Sequence, residues 1–154
     1  MTKGKREAIS DWLMVLGGPL LLGSLFLTWS HQFSPQFLAQ YGSSAALRGV
    51  PRDPTAWQLY SAADVLLAAL AVGLVAAALR GTRNARVALV VPLVVAVAFT
   101  IHALAAPPTS GADIFNSSLG RYVADFPAAG PGEVVALVAL ALGAAGVLLS
   151  FTAD

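Results

Sequence analysis

The chain has 154 residues, 57% hydrophobic and 11% charged, with a formal net charge of +1 and a mean hydropathy of +0.74. An ordinary soluble domain carries about 25% charged residues, so this composition excludes that class, and the near-neutral balance excludes the basic stripe of a nucleic-acid binder. The absence of cysteine removes disulfides, thiolate metal sites and thiol catalysis. His31 and His102 are too few to build a metal site without carboxylates, so neither a cofactor nor a metal is expected.

In chain order, four apolar runs stand out, at about residues 12–30, 59–79, 87–106 and 134–151. Each approaches the roughly 20 residues that a bilayer-spanning helix needs. Their hydrophobicity runs around every face, as expected for helices bathed in lipid. The predicted fold class is all-α: an integral membrane four-helix bundle forming one transmembrane domain over residues 1–154. Trp12 and Trp29 bracket the first run, about 25 Å apart along a helix, which would place both rings in interfacial belts. A signal peptide is the competing reading of this run. Thr28-Trp29-Ser30-His31-Gln32 contains no small-x-small cleavage site, however, which favours a retained anchor.

Lys3, Lys5 and Arg6 precede the first run, and Arg80, Arg83 and Arg86 crowd the tight connection between the second and third. The positive-inside rule then puts both termini and that connection in the cytoplasm and both long loops outside, in a bacterial inner membrane. Each outward loop is predicted to hold one short amphipathic helix. In the first loop, Ser34 caps a helix starting at Pro35, with Phe37, Leu38 and Tyr41 on one face and Gly49 and Pro51 closing it. In the second, Phe115, Leu119, Tyr122 and Phe126 recur at helical spacing before Pro127.

Asp64 is the unusual residue, a carboxylate at the mouth of an apolar run. Ser61-Ala62-Ala63-Asp64 matches a capping box, which a helix dipole near water would favour. Thr55-Ala56-Trp57-Gln58 offers an earlier cap that would bury Asp64 deeper. Asp64 could instead pair with His102 in the outer leaflet, within a polar cluster of Ser24, Thr28, Ser61, Asp64, Thr100 and His102. A third role is binding of a small molecule, lipid or ion in an outward pocket. The inner two-thirds of the spans carry no ionisable stepping stones for a path across the membrane. The cap reading is preferred, and it predicts a nearly silent Asp64→Asn.

Small residues must supply close packing where lipid removes the hydrophobic drive. Ala69, Gly73 and Ala77 form one such groove, Ala139 and Gly143 a second, and Gly146 and Ser150 a third. Gly17-Gly18-Pro19 and Pro92 should bend the first and third spans.

Ser24-Leu25-Phe26-Leu27-Thr28-Trp29, followed by Trp57-Gln58-Leu59-Tyr60-Ser61-Ala62-Ala63-Asp64-Val65-Leu66-Leu67, resembles a group of small actinobacterial four-span membrane proteins. That group tends to carry proline where this chain has Thr28, and it brings no activity with it. The resemblance implies the four-span architecture. Claudin-like proteins share the topology, but their paired extracellular cysteines are missing here. No serine sits in a nucleophile–base context, so no enzyme is expected. The leading expectation is a non-enzymatic accessory or scaffolding subunit, partnered by the bilayer and by other membrane proteins or itself. The alternative is binding or transport through the outward polar pocket.

Overall fold

The computed structural model describes residues 3–48, 51–108, 114–116, 120–122 and 127–152. The chain is mostly helical. Three helices are long and apolar enough to cross a membrane: α4 (Ser61–Arg80), α5 (Arg83–Ala105) and α6 (Pro131–Phe151). The first helix, α1 (Lys3–Ser24), matches them in length, but its opening turns carry charges down to Asp11. It packs against α6 and α4, and α5 packs against the same two helices.

Each long helix begins or ends where the local chemistry dictates. Pro131 occupies the first position of α6, where its missing N–H costs nothing. Gly81 closes α4 with φ 64°, a left-handed conformation that favours glycine, and its N–H donates to Ala77 O at 3.1 Å. Pro19 and Pro92 lie inside α1 and α5, where each removes one backbone hydrogen bond.

The first apolar run does not stay helical through Ser30 as its hydropathy suggests. The helix stops at Ser24, whose hydroxyl turns back to Leu21 O (2.6 Å) while its own carbonyl accepts the Trp29 indole N–H (2.8 Å). That indole satisfies a carbonyl that helix termination frees. Thr28 to Gln32 then run extended between two neighbouring segments. Trp29 N donates to Pro54 O (3.0 Å) and Gln32 N to Arg52 O (2.9 Å) on one side. On the other side β1 (Ser30–His31) pairs antiparallel with β4 (Ala128–Ala129). Trp29 is consequently 0% exposed. Of this pair, Trp12, 65% exposed, keeps a position compatible with an interfacial belt.

The first long connection holds the expected helix α2 (Pro35–Tyr41), with Ser34 Oγ accepting from Phe37 N at 3.2 Å. It closes at Gly42, ahead of Gly49, which lies outside the described residues. Phe37 stacks on Phe33 (centroids 5.4 Å) and meets Tyr41 (5.1 Å), forming with Leu38 and Leu47 a small core of its own. The Thr55 cap is also used: Thr55 N donates to Gln58 Oε1 (3.0 Å), opening the single-turn α3 (Ala56–Leu59). Tyr60 is extended, at φ −132° and ψ 106°, so this turn does not run on into α4.

The second long connection departs from expectation. Phe115 and Tyr122 lie in strands, not on a helix: β2 (Ile114–Asn116) pairs antiparallel with β3 (Gly120–Tyr122). Asn116 and Gly120 are turn formers flanking short β-prone runs, and that chemistry outweighs the 3.6-residue spacing of the aromatics. Leu119 and Phe126 lie outside the described residues.

Two ends are thereby defined. At one, Arg6 Nη1 donates to Thr152 O (3.2 Å) and Arg86 Nη2 to Asp11 Oδ1 (2.8 Å). These bonds gather both chain ends and the α4–α5 connection. At the other, the long connections form a cap, joined to the end of α5 by Ser30 Oγ and Gln32 Nε2 donating to Pro108 O.

Candidate functional site

The cap rests on a buried polar layer. Ser24, Asp64, Thr100 and Glu133 are each 0% exposed, on α1, α4, α5 and α6 respectively. Trp29 and Tyr60 link the elements. A side chain at Gly132 would collide with the Trp29 ring. Trp29 packs edge-on to Tyr60 (6.0 Å), and Tyr60 edge-on to Phe99 of α5 (5.0 Å). Glycine at 130 and 132 is required here, because any Cβ would also press on the backbone of Thr28.

Asp64 does not cap its helix. The N-cap of α4 is Tyr60 and no side chain caps it. Both Asp64 oxygens are buried and lack a hydrogen-bond partner. The capping-box reading therefore fails, because Tyr60, not the Ser61 three residues before the acid, is where the chain enters the helix. His102 does not answer Asp64 either: it is exposed on α5, while the inward face at that level belongs to Thr100 and Ala103. Of the remaining expected cluster members, Thr28 is half-buried with its backbone bridged to Thr55, and Ser61 contributes the first residue of α4.

Glu133 is the residue that sequence reasoning missed. It lies in the first turn of α6, as Asp64 does in α4, and both of its oxygens are likewise buried without a partner. The signal was present as Pro131-Gly132-Glu133, a proline helix start followed by a first-turn acid, just ahead of the apolar run. Tyr60 feels the electrostatic influence of both carboxyls. Its phenol is pushed from 10.0 up to about 12, by burial first, then by the charges of Glu133 and Asp64.

The hydrogens of Ser24, Thr100, Trp29 and Gln32 in this layer are already committed. Ser24 Oγ donates to Leu21 O (2.6 Å), Thr100 Oγ1 to Ala96 O (2.8 Å) and Trp29 Nε1 to Ser24 O (2.8 Å). Gln32 Nε2 donates to Ser30 Oγ (2.7 Å) and Pro108 O (3.0 Å).

The small-residue grooves divide into filled and open ones. A Cβ on Gly17 of α1 would meet Ala139 O at 2.9 Å and Gly143 N at 3.0 Å; one on Gly146 would meet Ser10 O at 2.8 Å. Ser10 Oγ also donates to Gly146 O (2.7 Å), and Ser150 is buried, bonded back to Val147 O. Both grooves of α6 are thus filled, by α1 and, at Gly143, also by Leu74 of α4. Along α4, Ala77 is buried and Gly73 faces Leu89, but Ala69 is exposed. It opens onto a groove of about 490 Å³ between α4 and α5, lined by apolar side chains that include Leu66, Leu70, Pro92, Val95 and Phe99. The chain matches no known protein family, no curated protein and no solved structure.

Proposed function

We propose that the chain is a non-enzymatic four-span membrane protein, with α1 as the fourth span, that serves as an accessory or scaffolding subunit of a larger membrane complex. Residues 12–24 of α1 supply its apolar part, and the charged opening turns sit at the end shared by both termini, the cytoplasmic end by the positive-inside rule. The resemblance to small actinobacterial four-span proteins supports the same architecture.

The α4–α5 groove carries the subunit reading. Along α1, glycines bring backbone against backbone with α6 and α4. In this groove two membrane-length helices leave an apolar furrow at Ala69 and Pro92. Small residues that permit close helix approach, left uncovered, suit a transmembrane helix of a partner. Extraction in mild detergent followed by native mass measurement tests this. A co-purifying membrane protein is expected, and Ala69→Trp, which fills the furrow, should release it. A chain that is monomeric and alone, unaffected by Ala69→Trp, would rule the reading out.

A further inference from the structure

A second apolar furrow, of about 380 Å³, runs between α1 and α4. Gly18, Pro19 and Leu22 line it on one side, and Val72, Ala76 and Leu79 on the other. A Cβ on Gly18 would meet Val75 Cγ2 at 2.6 Å and Ala71 O at 2.7 Å, so contact between the two helices already closes its floor. Leu22, Val72 and Leu79 stand exposed along it. A narrow slot between bulky side chains suits an extended hydrocarbon chain. A helix backbone would need small residues to approach. From Ala71 to Leu79 the furrow follows α4 for about 12 Å, close to the roughly 15 Å depth of one leaflet's hydrocarbon.

Positive charge meets the furrow at its Leu79 end. Val72, Ala76 and Arg80 follow one another at four-residue intervals on α4, so one helix face carries the apolar wall directly into an arginine. Arg83, three residues on, opens α5. Both arginines are exposed, and neither has an ion-pair partner among the described residues, whereas Arg86 is tied to Asp11. On α1, Trp12 and Lys5 precede Pro19 at intervals of seven residues, which keeps them close to its face of the helix. Both are exposed, and an exposed indole at this end suits the headgroup level. Apolar slot, interfacial ring and unpaired cations thus follow in the order of an anionic lipid's own parts.

We propose that this furrow binds one acyl chain of an anionic phospholipid, in the leaflet on the side of the chain ends. Arg80 and Arg83 hold its phosphate, with Lys5 at the rim. The phosphate supplies the charge and the acceptor oxygens that the two guanidiniums lack. This site rests on α1 as the fourth span and is independent of the subunit reading.

The test places the full chain in nanodiscs of equal phosphatidylglycerol and phosphatidylcholine, then counts the lipids it keeps on release into mild detergent by native mass measurement. One phosphatidylglycerol per chain should be retained in preference to phosphatidylcholine. Arg80→Gln and Arg83→Gln should each lower that preference roughly fivefold. Ala76→Trp, which blocks the furrow, should remove the retained lipid whatever its headgroup. Arg48→Gln, which loses the same charge in the first long connection, should change nothing. Equal retention of the two lipids by the parent protein overturns the proposal without need of any variant. So does an unchanged preference in both arginine variants, or displacement of the lipid by soluble glycerol phosphate. Proteolysis of tags at the two chain ends in sealed vesicles checks the four-span reading separately. Ends on opposite sides would take α1 out of the membrane and the site with it; ends on one side with equal lipid retention would refute the site alone.

Discussion

Gly17 and Gly23 lie six residues apart on α1 and should respond oppositely to the same added methyl group. In a helix, alanine is favoured over glycine by about 0.5–1 kcal/mol, through the lower entropy of its unfolded backbone. At Gly23 a Cβ meets nothing within 4 Å, so Gly23→Ala should stabilise by up to that amount. At Gly17 the new Cβ falls 2.9 Å from Ala139 O and 3.0 Å from Gly143 N. Both obstacles are backbone of α6, so no side chain can swing aside and the two helices must separate. Overpacking of this kind costs about 1–3 kcal/mol, and it acts on the seam where small residues allow closest approach. The two variants should therefore differ by about 1–3 kcal/mol, with Gly17→Ala the weaker. Reversible unfolding by SDS in mixed micelles, followed by tryptophan fluorescence, measures that difference. A Gly17→Ala protein as stable as Gly23→Ala would refute the backbone-to-backbone seam.

Three further outcomes follow from the cap and the polar layer. Because His102 faces away from Asp64, their double-mutant cycle should show coupling below about 0.5 kcal/mol; a value above about 1 kcal/mol would restore the pair. Trp29→Phe keeps an aromatic ring but removes one of the two hydrogen bonds to Ser24 O, which still accepts from Leu27 N, at a cost of about 0.5–1.5 kcal/mol in the same unfolding assay. Tyr60, raised to about 12, holds its proton in the folded state where the unfolded chain has lost it. Stability should therefore fall as pH rises from 10 towards 12, and Tyr60→Phe should flatten that part of the curve.

The sequence alone determined where the long helices lie and much of their punctuation. The α4, α5 and α6 runs, the Ser34–Pro35 start and the Thr55 cap were all legible, since each rests on chemistry within a few residues. The pairing of β2 with β3 was not legible, because the helical spacing of the aromatics competes with the turn formers Asn116 and Gly120. Tertiary structure alone decided which groups turn inward. Helices apolar on every face carry almost no hydropathic record of which side meets a neighbour, so neither the exposure of His102 nor the burial of Asp64 was readable from periodicity. Trp29 could pass for an interfacial anchor until its indole was seen to close α1 beneath strands contributed from both long connections. Glu133 escaped because the apolar run was counted from Val134. Its meaning depends on Asp64, Tyr60 and Trp29, residues far away in the chain that only the packing of the helices brings to its level.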